Sequence, residues 1–147
     1  MFDALNFPNY TFQFQESPRK KMIFDVVRKK YIILTPEEWV RQHVVHHLLY
    51  DKGYPASLLA IETGIKFQGM IRRCDVVAYK ENKPFLLIEC KAPSVALSKD
   101  IIAQIARYQS VLKVPYLFIS NGLQHLCLRI NEAGRIEICE NIPDYQL

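Results

Sequence analysis

The sequence predicts an α/β domain: a mixed central β-sheet flanked by helices. Two observations predict it. Helix, three strands, helix and two strands follow one another in that order between Thr35 and Ile130. The chain has 147 residues, about one domain's worth, and half of them are apolar, enough to build one core.

The elements can be justified in turn. Residues 1–22 read as an irregular N-terminal arm, with Pro8 and Pro18 bracketing Tyr10, Phe12 and Phe14, aromatics that can pack on the body. Residues 23–147 read as the single domain. Ile23 to Leu34 suggests two short strands around a turn at Arg28-Lys29-Lys30. Thr35 is a good N-cap, Pro36 suits the first helical position, and Glu38 completes a capping box, so a helix runs from there to about Asp51 and ends at Gly53. Val40, Val44 and Leu48 form its apolar stripe, widened by Trp39, Val45 and Leu49.

Leu58 to Phe67 reads as a strand, begun by a helical turn. Ile71 to Tyr79 and Pro84 to Lys91 form a hairpin across a charged loop. Ser98 or Lys99 starts a second helix, on which Ile101, Ile105, Tyr108 and Leu112 fall at helical spacing. Pro115 to Ser120 is an apolar strand, Asn121-Gly122 a hairpin turn, and Leu123 to Ile130 the return strand. Arg135 to Cys139 adds an edge strand before a polar tail.

Composition narrows the function. No apolar run reaches the ~18 residues of a membrane helix, and the first residues lack a signal-peptide pattern, so a cytoplasmic protein with no membrane partner is expected. The net charge is +4. The last 17 residues hold one basic and four acidic residues, leaving eighteen basic against eleven acidic in the rest. A basic body suits a polyanion such as nucleic acid, although modest positive charge is common elsewhere. Cys74, Cys90, Cys127 and Cys139 stand singly, without zinc spacing, and read as reduced core cysteines.

The most informative residues are Arg72-Arg73-Cys74-Asp75 and, on the next strand, Glu89-Cys90-Lys91. Residues two apart on a strand share a face, so Glu89 and Lys91 point the same way. A Lys80–Pro84 loop would set Asp75 directly opposite Glu89. The shorter Lys80–Lys83 loop would set it opposite Ile88 unless a bulge restored the match. Two opposed carboxylates repel unless a proton or cation lies between them, and a hard cation such as Mg²⁺ accepts one or two carboxylates plus water. Lys91 beside it could orient a water or stabilise charge on a phosphate. Ordinary surface ion pairs produce the same pattern.

The Asp, Glu-x-Lys order between two helices resembles the PD-(D/E)xK nuclease superfamily. Within it, Thr35 to Gln42, Arg72 to Val77 and Leu87-Ile88-Glu89-Cys90-Lys91-Ala92-Pro93 are similar to the N-terminal nuclease domain of type I restriction enzyme R subunits. The resemblance implies a restriction-endonuclease-like core, with Asp75 and Glu89 as Mg²⁺ ligands (Mn²⁺ being the alternative), Lys91 as the catalytic lysine, and DNA as substrate. Those subunits are long chains with a helicase motor, which this sequence departs from, so any motor or specificity subunit is expected on a separate chain. An acidic residue on the first helix, Glu37 or Glu38, would approach the metal; both readings stay open, with Glu37 on the Val44 and Leu48 side. Gln104 and Tyr108 resemble the Gln-x-x-x-Tyr element of RecB-like nucleases, while Tyr108 also fits the apolar stripe.

Arg72, Arg73 and Lys99 are candidate phosphate contacts. Lys20-Lys21 and Arg28-Lys29-Lys30 read as a solvated face that could also clamp phosphates. His43, His46 and His47 share a helix without the Glu of a zinc motif and read as packing residues. The expected activity is metal-dependent DNA endonuclease. The alternative is a catalytically silent DNA-binding or assembly module, with a homodimer as one arrangement.

Overall fold

The computed structural model describes residues 2–146. Its elements are β1 (Phe14–Ser17), β2 (Lys20–Asp25), β3 (Lys30–Ile33), α1 (Pro36–His46), β4 (Leu59–Phe67), β5 (Met70–Lys80), β6 (Lys83–Cys90), α2 (Lys99–Leu112), β7 (Tyr116–Ser120), β8 (His125–Ile130) and β9 (Ile136–Cys139). Strands β4 to β9 form one six-stranded sheet in chain order, and β1 to β3 form a separate three-stranded sheet. Neighbours in the large sheet are antiparallel except β6 and β7. Parallel neighbours need a long crossover, and α2 supplies it.

Each helix covers one face of the large sheet. Val40, Val44 and Val45 of α1, with Leu48 of the turn that follows it, pack on Val76, Ala78, Leu86 and Ile88. Ile105 of α2 packs on Val77, Leu87, Leu117 and Ile119. The alternation of the central strands between the two clusters follows from the twofold strand period. Among the described residues, no helix is long and apolar enough to cross a membrane.

Local chemistry sets the boundaries. The Thr35 hydroxyl accepts from the Glu38 amide at 3.0 Å, as an N-cap should. The capping box is only half made, because the Glu38 carboxylate binds Arg41 and Gln42 instead. α1 continues through a π-type turn, His47–Asp51, and Gly53 at φ +75° lets the chain leave it. Ser98 caps α2. A short 3₁₀ turn, Ala56–Leu58, precedes β4.

The N-terminal arm is partly corrected. Phe14–Ser17 and Lys20–Asp25 pair as a hairpin within residues expected to be irregular. β1 is exposed along its whole length, so it carries no burial alternation for a sequence reading to detect. Residues before it wrap the body: the Trp39 indole N–H donates to the Asp3 carbonyl at 3.0 Å, and the Phe7 ring packs tilted against His125 with centroids 4.4 Å apart. Phe12 lies against His43, His46 and Trp39. The polar tail is also corrected, since Ile142 is buried and the Tyr54 hydroxyl donates to the Pro143 carbonyl at 2.8 Å.

Cys74, Cys90 and Cys127 are buried free thiols. Burial pushes the Cys74 thiol up to about 12, so it stays protonated and unreactive.

The turn after β7 fixes the wrapping segment. Asn121 Oδ1 accepts from the amides of Leu123 and Gln124, which delays the return strand to His125. Gly122 takes φ +88°, and a Cβ there would lie 2.8 Å from a Leu5 methyl and 3.1 Å from Val40. Gly122→Ala should cost about 1–3 kcal/mol through this left-handed strain. Urea unfolding measures it, and an unchanged midpoint would contradict the left-handed backbone assigned to Gly122.

Candidate active site

The hairpin of β5 and β6 turns through Glu81 and Asn82, both at positive φ, the tight two-residue geometry that matches strand twist. That turn belongs to the shorter loop, which by itself would put Asp75 against Ile88. A bulge corrects it. Ala78 pairs with Leu86 and Tyr79 with Pro84, leaving Phe85 as the extra residue. Val76 then pairs with Ile88 as the last rung. Asp75 and Glu89 are the next residues out, where the two strands part. Asp75 Oδ2 accepts from the freed Cys90 amide at 2.7 Å.

The opening is a cleft of about 560 Å³ lined by Glu37, Glu38, Arg41, Glu62, Arg72, Arg73, Asp75, Glu89 and Lys91 together with Ile33 and Thr35. Glu89 is only 7% exposed. Burial first, and then the facing Asp75 carboxylate, push its carboxyl up to about 8. Arg72 and Lys91 pull the other way. Burial and then Asp75 also raise the Glu37 carboxyl, which Lys91 opposes. Of the two residues in the first turn of α1, both of which line the cleft, Glu37 is the one whose carboxyl feels the charges of Asp75 and Lys91. Glu38 is buried and turned onto Arg41.

Guanidinium groups neutralise this crowd. Arg41, also buried, binds Glu38 with its Nε at 2.9 Å and with Nη2, reaches Glu62 at 2.6 Å, and stands 3.6 Å from Asp75. Its carboxylate neighbours outweigh burial and hold it charged. Arg28 binds Asp25 at 2.8 Å and lies 3.7 and 3.8 Å from Glu38 and Glu62. Arg72 donates to Glu89 at 2.7 Å while its guanidinium carbon stands 4.5 Å over the Tyr108 ring. Arg73 is exposed and meets Glu62 at 3.3 Å.

Of the residues singled out in the sequence, Glu37, Glu38, Arg72, Arg73, Asp75, Glu89 and Lys91 come together. Lys99 is exposed and does not line the cleft. It precedes the buried turns of α2 and faces solvent. Gln104 and Tyr108 line a separate groove with Met70, Arg107 and Val111; Tyr108 meets the site where the Arg72 guanidinium stands over its ring. Arg28 is half-buried in the ion network and is no solvated residue. The histidines pack: His43 and His46 each donate from Nδ1 to the carbonyl four residues back, and burial lowers both.

Sequence reasoning missed Arg41 and Glu62. Ile61 pairs with Val76 and Thr63 with Cys74, which brackets Glu62 against Asp75 on the neighbouring strand. Glu62 adopts φ +49°, a costly backbone for a non-glycine residue in mid-strand. The β4–β5 register was the available signal.

Residues 36–143 match the family described as the type I restriction enzyme R protein N terminus (HSDR_N). The chain belongs to that family. Among solved structures, a fragment assigned to the HsdR subunit of a type I restriction enzyme from Vibrio vulnificus YJ016 matches with a TM-score of 0.52 at 18% identity. The match covers 75% of this chain and 24% of that one, so the chain spans about a quarter of its length. At such identity the likeness concerns the fold. No curated protein matches.

The donor set of this HSDR_N domain fits a divalent cation. The residues that line the cleft offer carboxylate oxygens and neither thiol nor imidazole, as Mg²⁺ and Mn²⁺ prefer; burial and then Asp75 raise the Glu89 carboxyl against the pull of Arg72 and Lys91. Among the described residues no group of three or more His, Cys, Asp or Glu side chains forms a metal cage. Such an ion would rest on two carboxylates, with water completing the shell.

Glu89 gives a pH signature. Its folded value lies above its ordinary 4.5, so the stability it contributes is present below 4.5 and lost as pH rises toward 8. In chelator, Glu89→Gln should therefore melt higher than wild type, by a margin that grows between pH 4.5 and 8 and then levels. A margin that stays flat or shrinks over that range contradicts the assigned burial and crowding.

Proposed function

We propose that this HSDR_N domain is a metal-dependent DNA endonuclease of the PD-(D/E)xK type, hydrolysing phosphodiester bonds with Mg²⁺ or Mn²⁺ held by Asp75 and Glu89. The carrying observation is the meeting of those two carboxyl groups where β5 and β6 part, with Lys91 on the same cleft wall. Five carboxylates and four cationic side chains line the cleft. A phosphate enters such a site only with added positive charge. When bound, a divalent cation supplies that charge, polarises the phosphoryl group and acidifies water.

The chain's own groups supply the rest. Lys91, two residues beyond Glu89 on the same face, places an ammonium beside the phosphate, where it orients the attacking water or offsets developing charge. Glu37 is the acidic residue of α1 whose carboxyl feels the charges of Asp75 and Lys91, and it serves as an accessory acceptor for water. Arg41 holds Asp75 and Glu62 in position from behind. Arg72 and Arg73 present guanidinium groups at the mouth, where phosphates pass. Membership of the family connects the domain to restriction systems, in which a motor or specificity subunit is its expected partner along with DNA.

A second reading, a catalytically silent DNA-binding or assembly module, is favoured by one observation. Arg72 already occupies Glu89 at 2.7 Å, which is how a retired metal site would neutralise its ligand.

Nicking of supercoiled, linear duplex and single-stranded DNA in Mg²⁺ and Mn²⁺ separates the readings. Asp75→Ala, Glu89→Ala and Lys91→Ala should each cut activity at least about 100-fold with circular dichroism unchanged. Wild type that cuts no DNA form with either metal, or variants that cut as wild type does, would reject the enzyme.

A further inference from the structure

Residues 14–33, the small sheet, carry Arg19, Lys20, Lys21, Arg28, Lys29 and Lys30 against Glu16 and Asp25. That net of +4 equals the net charge of the entire chain, so the remainder is neutral, with thirteen basic and thirteen acidic residues. The family match begins only at residue 36, so this charged ribbon lies outside it.

The two acidic residues of the ribbon are occupied internally. Asp25 is buried and accepts from the amides of Val27 and Arg28 and from the Arg28 guanidinium. Glu16 stands 3.7 Å from Lys21. Arg28 is drawn inward to Glu38 and Glu62. Arg19, Lys20, Lys29 and Lys30 are exposed, and among the described residues none has a carboxylate oxygen within 4 Å. Four unneutralised cations on one small sheet repel each other and add nothing to folding.

Their placement is informative. Arg19 and Lys20 stand at the β1–β2 turn, while Lys29 and Lys30 stand at the β2–β3 turn, at the opposite end of β2. Six residues at ~3.3 Å each separate the two turns by roughly 20 Å. One DNA strand places a phosphate about every 3.4 Å along the axis, so the turns span about six phosphates. The ribbon also joins the cleft directly: β3 ends at Ile33 on its wall, and Arg28 from the β2–β3 turn lies beside Glu38 and Glu62 on another.

We propose that the β1–β3 ribbon is a backbone clamp for DNA, with Arg19 and Lys20 at one end and Lys29 and Lys30 at the other contacting phosphates outside the scissile bond. The proposal rests on reading the cleft as a DNA-hydrolysing site. The contacts are with phosphates, so they add affinity without sequence preference.

The test is binding of a fluorescent duplex to the full chain in chelator, measured by anisotropy from 50 to 200 mM salt. The triple variant Lys20→Ala, Lys29→Ala, Lys30→Ala should lower the slope of log affinity against log salt by about 2–3. Its melting temperature and its Mn²⁺ isotherm should match wild type. Lys80→Ala, Lys83→Ala, Lys113→Ala, which removes the same charge around the β5–β6 turn, should leave the slope alone.

A ribbon variant with the wild-type slope, an equal loss in the comparison variant, or wild-type affinity that ignores salt would each overturn the clamp. So would competition by poly-glutamate as effective as by DNA, which would assign the surface to an acidic protein. The Mn²⁺ isotherm keeps the two claims apart. Normal metal binding with an unaltered slope rejects the clamp alone, whereas a ribbon-dependent slope without metal binding rejects the cleft chemistry alone.

Discussion

Carboxylates crowded into a half-buried cleft repel, and the structure around β4, β5 and β6 is arranged to hold them there. Asp75 is fixed by the amide that β6 frees where the strands part. Arg41 is placed in the middle of Glu38, Glu62 and Asp75. Removing one partner leaves the remaining charges of the network less well balanced. The geometry of the site is thus set by its electrostatics as much as by the apolar packing of α1 and α2. Glu89 keeps a raised carboxyl even with Arg72 at 2.7 Å, because burial and the facing Asp75 outweigh that pairing.

The core was legible because its signals are local. Thr35-Pro36 announces α1, and Val40, Val44 and Leu48 end up fully buried as their spacing requires. Glu89 and Lys91 share a face because strands have a period of two. Whether Asp75 reaches Glu89 was not legible, since the loop length argued both ways. The answer came from the bulge at Phe85, which shifts the register by one residue between Ala78 and Tyr79. Arg41 was invisible for a related reason: on a helical wheel it is an ordinary polar residue, and its burial arises only when β4 brings Glu62 alongside. β1 escaped notice because an exposed strand has no alternation to read. Its partner β2 has only Ile23 and Asp25 fully buried.

The same separation of scales explains the two outer segments. The wrapping residues before β1 use aromatics, Phe7 and Phe12, against histidines whose imidazoles are kept neutral by burial. That is packing chemistry. The ribbon that follows is built the opposite way, with its acidic groups turned inward and its exposed cations left over. One segment stabilises the fold while the other carries charge that the fold itself does not use.

The central claim is that Asp75 and Glu89 are a cation site which guanidinium groups occupy by default. Anomalous diffraction from a crystal grown in Mn²⁺ tests it most directly. The account predicts one peak within about 2.0–2.3 Å of both carboxylates, with Arg72 released from Glu89. A Mn²⁺-saturated crystal that shows no peak there, with Arg72 still bound to Glu89, would contradict it.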